Sequence, residues 1–450
     1  GTFMSTLDSS IVNVALPTIS GQFHADLSVL QWTVTAYLLA ITSLLPVFGR
    51  LADMLGRRKI FGLGFIIFTL GSALCGLAPG IWFLVATRVL QAIGAAMLMA
   101  NSAAFIVAIF PFQERGKALG LTGTVVALGS MSGPALGGLL ISLAGWRSIF
   151  YINVPLGILA YILAQTILPV DQPQTDKESF DFAGAFLFAG GMISLLYSIS
   201  TGSIWGWSSP LILTGILLGL GLLTGFLINE RRVPHPMIDL SLFRIHPFVI
   251  GNLCGWLSFV AMFANTMLLP FYLQQVLNYG PSQVGLLMTA FPVAMAITAP
   301  ISGHASDRYG PLVLTSGGMV ISALGLFYFS TLTPATVFYQ VIPGSLLMGL
   351  GAGMFQSPNN NSVMSSVPPP KLGVAGGLSS LVRNIGMISG IAFSVSLFEL
   401  WGGVTGPSPD QIPAFMHAYH GVMLVAMSLA LLGAIVSLNR RSYLLPANPK

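Results

Sequence analysis

Fourteen long apolar runs constrain this chain more than any other feature. They fall at approximately 2–22, 32–52, 60–78, 81–108, 116–141, 149–168, 182–201, 210–229, 247–273, 283–303, 312–330, 337–357, 375–399 and 414–437. A helix that crosses ~30 Å of hydrocarbon needs roughly 20 apolar residues, and each run is about that long. The runs do not alternate in polarity, as the strands of a membrane barrel must. Open strands cannot satisfy their backbone groups in lipid. The runs therefore read as membrane-spanning helices. The breaks between them are short and carry Pro, Gly or charge, as at Ala78-Pro79-Gly80 and 111–115.

Composition supports this reading. Of 450 residues, 54% are hydrophobic and only 7% are charged, against roughly 25% charged in a soluble domain. A soluble enzyme, a disordered chain and a nucleic-acid binder are excluded. The net charge is +5, and placement matters more than the sum. With the N-terminus in the cytoplasm, 15 of the 18 Lys and Arg fall in inner loops, Arg147 falls outside, and Arg88 and Arg383 fall within spans. Cytoplasmic loops collect such residues. An odd number of helices would scramble the pattern, so both termini are expected inside. Cys75 and Cys254 lie in apolar runs and give neither a disulfide framework nor a metal cluster. The chain opens on Gly1 within an apolar run, so a preceding segment is expected. No cleavable signal peptide is recognised.

The sequence also repeats itself. Gly-Ala-Ala-Met at 94–97 matches Gly-Ala-Gly-Met at 351–354, an offset of 257. The same offset pairs Gly129 with Gly386 and Gly133 with Gly390, and an offset of 254 pairs Gly49, Asp53 and Gly56 with Gly303, Asp307 and Gly310. A parallel duplication follows, with six helices in 1–168 and six in 247–450. Two further helices lie in the segment 169–246, without a counterpart. The expected fold class is an all-α integral membrane protein of fourteen transmembrane helices with the major facilitator plan, its site between the halves.

Asp8, in Leu7-Asp8-Ser9-Ser10-Ile11-Val12-Asn13, is the one acid deep in any span; Glu399 lies near an outer end. A mid-bilayer charge costs ~2.5–3.5 kcal/mol even on the mild scale. Its neutral acid does not carry that cost, so the position suits a group that binds and releases a proton. A structural aspartate held permanently by an arginine is the alternative. Arg88 cannot plausibly deprotonate and needs an acid, carbonyls or water; Asp8 and Gln91 are the candidates. Between helices 2 and 3, Gly49, Asp53, Gly56, Arg57 and Arg58 form a compact charged loop with a tight glycine turn. Asp307 and Arg308 stand in its second copy. These charges suit a conformational latch at the cytoplasmic face, with a simple positive-inside anchor as the alternative. Gly129, Gly133 and Gly137 form one smooth helix face, and Pro134 removes a backbone donor there.

Taken together, these motifs resemble the fourteen-helix drug:proton antiporter family of the major facilitator superfamily. The first-helix segment around Asp8 is similar to that family's signature. Arg88-Val89-Leu90-Gln91-Ala92-Ile93-Gly94 resembles its fourth-helix motif, with Ala92 where Gly is usual. Residues 49–59 resemble the superfamily loop signature, and 129–138 the motif that marks antiporters. The resemblance implies that Asp8 and Arg88 handle the coupling proton. Trp146 to Pro155 also resembles the family and is read as an interfacial anchor. Candidates for a substrate cavity are Asn13, Tyr37, Gln91, Asn265, Tyr272, Gln274, Phe291, Gln356, Arg383 and Asn384. Arg383 has no deep acid to pair with in its half; carbonyls, a lipid headgroup or an anionic group on substrate remain open.

Phosphate-loop, zinc-protease and nucleophile-elbow motifs are absent. An enzyme and an ATP-driven pump are not expected. The expected function is proton-coupled export of amphipathic molecules or lipids across a bacterial cytoplasmic membrane. The proton is the coupling ion and no other cofactor is implied. A dedicated exporter of one lipid or metabolite is the nearest rival, and a non-transporting scaffold or sensor a more distant one. A monomer is expected, with a dimer through the central helices as the alternative.

Overall fold

A computed structural model of the chain describes residues 1–109, 112–168, 181–233, 239–368 and 371–439. The break at Pro111 and the basic residues Lys177, Arg440, Arg441 and Lys450 lie outside them. Fourteen long helices are present: α1 Thr2–Phe23, α2 Trp32–Leu55, α3 Arg57–Gly76, α4 Ile81–Ile109, α5 Phe112–Ala144, α6 Asn153–Ile167, α7 Phe182–Trp205, α8 Pro210–Glu230, α9 His246–Phe271, α10 Pro281–Tyr309, α11 Pro311–Phe329, α12 Phe338–Ser365, α13 Leu372–Leu400 and α14 Ile412–Leu438. A π-type turn, Tyr272–Val276, follows α9 after Pro270.

Twelve of these helices are long and apolar enough to cross a membrane. The sequence leads to an expectation of fourteen spans; α1 falls short by hydropathy, and α5 by the length of its described apolar stretch. α1 carries Thr2, Ser5, Thr6, Asp8, Ser9, Ser10 and Asn13, and is buried along most of its length from Met4 to Ser20. A helix enclosed by protein need not be apolar all round. In α5 the described apolar stretch is Leu128–Ala144.

The chain divides into two compact units, Gly1–Ile238 with Leu273–Leu286, and Asp239–Tyr272 with Leu287–Lys450. α7 and α8, expected from sequence to lie between the halves without a counterpart, fall within the first unit. α7 meets the start of α2, where Trp32 and Tyr197 lie 5.2 Å apart and Gln31 donates to the Ser200 carbonyl. α7 and α8 pair through small residues: Ser194 donates to the Gly215 carbonyl, and Gly219 faces Leu195. Asp181 caps α7 through the Gly184 amide and accepts from Asn229 at 2.6 Å. The outer face of α8, with Leu211, Leu217, Leu218 and Ile228, is exposed and apolar, as a lipid-facing helix should be.

The sequence repeat reappears as repeated packing inside each unit. In the first, a Cβ on Gly94 of α4 would press into the Phe68 backbone of α3, and Gly64 faces Gly94 in return. In the second, Gly318 of α11 and Gly351 of α12 meet backbone to backbone at the repeated positions. Gly129 and Gly133 of α5 lie on α1, as Gly386 and Gly390 of α13 lie on α9. Without a hydrophobic driving force in lipid, helix association depends on such close contact. The turns repeat as well. Gly56 has φ 104° between α2 and α3, and Gly310 has φ 79° between α10 and α11, a region costly to any residue with a Cβ.

On the second unit's surface, Lys371 pairs with Asp239 at 2.6 Å. This bond holds the Asp239 carboxyl below the usual carboxylate range. A depressed carboxylate stabilises above its unfolded pKa, and the contribution fades as pH falls through the folded value. Both side chains are partly exposed, so the effect is small.

The glycine contacts predict unequal outcomes for one substitution. Gly94→Ala presses on backbone that cannot yield and should cost about 1–3 kcal/mol. Gly221→Ala on α8 meets nothing within 4 Å and should be neutral or gain about 0.5–1 kcal/mol from helix propensity. Thermal unfolding of the two purified variants reads the difference, and equal melting temperatures would contradict the packing.

Candidate functional site

Five helices bring polar groups to one buried point in the first unit. α1 contributes Asp8, α2 Tyr37 and the Thr33 carbonyl, α3 Ser72, α4 Arg88 and Gln91, and α6 Asn153. The close α3–α4 contact makes this possible. Gly71 lets α3 approach the Gln91 backbone so tightly that a Cβ would lie 2.6 Å from its Cα. Arg88 and Gln91 are three residues apart and share a helix face.

Asp8 and Arg88 are both 0% exposed. Arg88 Nη1 donates to Asp8 Oδ2 at 2.5 Å and to Gln91 Oε1 at 2.7 Å. Gln91 Nε2 and Asn153 Nδ2 both donate to Asp8 Oδ1, at 2.8 and 2.9 Å. Arg88 Nε donates to the Thr33 carbonyl at 3.0 Å. The Tyr37 ring covers the guanidinium at 4.0 Å, close enough for cation–π attraction. Behind Asn153, Ser72 accepts a hydrogen bond from its amide and donates to the Phe150 carbonyl. The carboxylate thus receives three donors, and the cation meets an anion, a carbonyl, an amide oxygen and an aromatic face. Two buried charges cost least when paired and fully hydrogen-bonded. Three polar atoms keep no partner in this arrangement: Arg88 Nη2, Asn153 Oδ1 and the Tyr37 hydroxyl.

Sequence reasoning names Asp8, Arg88 and Gln91 as neighbours, and the geometry brings them together. It places Tyr37 and Gln91 in a substrate cavity. Both are wholly buried and face Arg88, so here they belong to the ion-pair network. Asn153 and Ser72 escape it. Asn153 stands in the Trp146–Pro155 segment read as an interfacial anchor. Trp146 of that segment is buried, bonded to Gln22 and edge-on to Phe23 and Phe150. A polar Asn at the start of an apolar helix is the available signal.

The antiporter-like glycines touch the helix that carries Asp8. Gly129 faces Phe3 and Thr6, Gly133 faces Ser10 and Ile11, and Gly137 faces Ile11. Ser10 donates to the Gly129 carbonyl. Pro134 lies within a continuous helix. Of the latch residues, Arg58 binds Gln165 through its side-chain oxygen at 3.3 Å and through its carbonyl. Gly49 borders open space. Arg308 lies 5.4 Å from the Tyr309 ring, and Arg57 leads into α3. The side chains of Asp53 and Asp307 lie outside the described residues.

The remaining cavity candidates belong to both units. Asn13 donates to the Ser9 carbonyl of its own helix. Gln274 donates to the Val14 carbonyl and accepts from Thr18. Tyr272 stacks on Tyr419 at 5.1 Å and donates to the Thr333 carbonyl. Phe291 lines a small apolar cavity of the second unit with Met262, Met319 and Met348. Asn265 is buried with an unpartnered Oδ1. Gln356 is half-buried near the middle of α12, and Arg383 and Asn384 sit mid-way along α13.

The ion pair predicts strong coupling. Asp8→Leu leaves a buried cation and Arg88→Leu a buried anion, and each should cost about 3–5 kcal/mol. The double variant should recover most of that loss. Thermal unfolding of the four proteins closes the cycle; additive losses would contradict the buried pair.

Comparison with known proteins completes the description. The sequence profile described as Major Facilitator Superfamily matches residues 1–182 and 251–449, so the gap between its two stretches holds most of α7 and all of α8. The riboflavin transporter RibZ of Clostridioides difficile is 36% identical over 97% of this chain and 94% of its own length. The multidrug resistance protein Stp of Mycobacterium tuberculosis is 36% identical over 90% of this chain and 75% of its own. The multidrug transporter protein MdtP of Bacillus subtilis is 35% identical over 92% and 77%. Among solved structures, an inward-facing bacterial homologue of the human lysosomal transporter Spinster superposes with a TM-score of 0.70 at 15% identity, over 98% of this chain and 95% of that one, a likeness of fold alone.

Proposed function

The chain belongs to the Major Facilitator Superfamily, and on that premise we propose that it is a proton-coupled exporter of amphipathic compounds, of the fourteen-helix drug:proton antiporter kind. A multi-pass membrane transporter, not an enzyme, is its established class. The observation that carries the finer reading is the buried Asp8–Arg88 pair with its amide ring. A fully enclosed carboxylate paired with an arginine is a costly element for a purely structural fold, and one whose pairing a proton would break.

In the proposed cycle a proton from the outer side adds to an Asp8 carboxylate oxygen. The new hydroxyl then needs an acceptor. Asn153 Oδ1 is buried and unpartnered, and a half-turn of that amide offers it. Arg88 loses its anion and keeps the Gln91 and Thr33 oxygens. Release of the proton to the inner side restores the pair. A cationic substrate exported for that proton makes the exchange electroneutral, driven by ~1.4 kcal/mol per pH unit. The α5 glycines give α1 a smooth surface on which to move during alternating access, and the loops around Gly56 and Gly310 latch the cytoplasmic face. In this reading α7 and α8 are the two additional central helices. Both termini lie in the cytoplasm of a bacterial cell, and the protein contributes to drug resistance. A transporter dedicated to one metabolite is the second reading, favoured by the similarity to a riboflavin transporter.

Proteoliposomes with an imposed pH gradient and an internal pH dye provide the test. Ethidium is added in one series and riboflavin in another. Substrate-dependent proton movement in the wild type should disappear in Asp8→Asn and fall at least tenfold in Arg88→Lys. Survival of the flux in Asp8→Asn would move the proton site, with Glu399 next to examine. Uptake without proton movement would remove the antiport reading. A response to riboflavin alone would select the dedicated transporter.

A further inference from the structure

One cation in the second unit lies deep in a span without an anion. Arg383 lies eleven residues past Leu372 on α13, about 17 Å along the axis at 1.5 Å per residue. It is partly buried. Among the described residues it forms no hydrogen bond and no ion pair. The described acids of the unit are engaged or distant. Asp239 pairs with Lys371, Asp410 is exposed in the loop beyond α13, and Glu399 lies sixteen residues further along the same helix, about 24 Å away. This contrasts with Arg88, whose charge is met on several sides.

Arg383 has company of its own kind. Ser379 and Ser380 lie four and three residues before it, on the same face of α13. Ser379 Oγ is buried without a partner, and so is Asn384 Nδ2 on a side chain only 4% exposed. Ser380 makes no hydrogen bond among the described residues. The space beside this turn is open: a Cβ on Gly377 would meet nothing within 4 Å, and one on Gly376 would reach only the tip of Met364, at 3.8 Å. A guanidinium, two hydroxyls and an amide NH2 are therefore gathered within two helical turns with their donors unspent. Buried donors left unpaired are costly, and a mid-membrane arginine more so.

We propose that Ser379, Ser380, Arg383 and Asn384 form a binding site for an oxyanion, the carboxylate or phosphate head of an amphipathic molecule. The guanidinium fork matches such a group bidentately, and the hydroxyls and amide supply the further donors that its oxygens accept. This deepens the exporter reading by naming a substrate class, anionic or zwitterionic amphiphiles, that Asp8 alone would not attract. A lipid headgroup has the same chemistry and is the other source of the ligand.

Equilibrium binding of pyrenebutyrate, and of its neutral amide as a matched control, to purified protein in phosphatidylcholine nanodiscs tests the site. Fluorescence anisotropy reads it. Arg383→Gln should weaken pyrenebutyrate binding at least tenfold and leave the amide unchanged. Arg383→Lys should recover part of the loss, and Asn384→Leu should weaken the anion several-fold. Unaltered pyrenebutyrate affinity in Arg383→Gln would overturn the proposal, as would equal losses for acid and amide. Thermal unfolding confirms that each variant is folded, and Ser379→Ala with Ser380→Ala repeats the test should Arg383→Gln not fold. Phosphatidylglycerol added to the nanodiscs separates the sources: competition in the wild type that vanishes in Arg383→Gln assigns the site to a lipid headgroup, and its absence to soluble cargo. Because the readout is binding at equilibrium, it stands whether or not Asp8 couples protons.

Discussion

The placement of Asp8 against Arg88 is the constraint around which the first unit is built. Neither charge is tolerable alone at that depth, and together they are tolerable because several neighbouring oxygens and nitrogens are aimed at them. That requirement reaches into five helices. It explains why α1 is polar yet enclosed, why α3 and α4 must touch backbone to backbone, and why Asn153 opens α6. The ring of Tyr37 closes the remaining side of the guanidinium and keeps lipid and water from it. The network is thus the structural centre of this unit.

Close packing through glycine is the second organising theme, and it comes twice. The contacts of α3 with α4 and of α11 with α12 use glycines at corresponding places in the repeat. So do those of α1 with α5 and of α9 with α13. What repeats in the sequence is therefore a set of places where one helix needs another helix's backbone. The charged centre was not duplicated in the same way. At the 257-residue offset, Ser345 stands where Arg88 would repeat and Met348 where Gln91 would, and Val126 stands where Arg383 would have its counterpart. The halves share their scaffold and differ in what they place on it.

Much of this was legible from the residues. The length of the apolar runs gave the helices, and the scarcity of other deep charges left Arg88 few partners besides Asp8 and Gln91. The inward orientation of Tyr37 and Gln91 was not legible, because helices that are apolar all round carry no periodic signal of which face is buried. Asn153 was hidden for a related reason. Its neighbours Trp146 and Tyr151 look like interfacial residues by type, and only packing shows that Asn153 reaches Asp8. α1 escaped a hydropathy criterion because polarity in a span is cheap once protein, rather than lipid, surrounds it. Arg383 stood out in the sequence, but its unspent donor neighbours are a property of coordinates.

The arginine in the first unit also fixes an electrical property. With Asp8 ionised, the centre is a dipole of no net charge, and a membrane voltage has little hold on it. With Asp8 neutral, the centre carries the full positive charge of Arg88, which cannot be discharged. Moving one elementary charge through the whole field is worth about 2.3 kcal/mol per 100 mV, so even partial displacement of that cation biases the equilibrium between conformations. In the proposed cycle, in a cell negative inside, the protonated centre would be drawn inward and the deprotonated centre would be free to return. In that cycle, the permanence of one guanidinium would let the potential bias the step that carries the proton, and it would bias the net direction only for a substrate without charge.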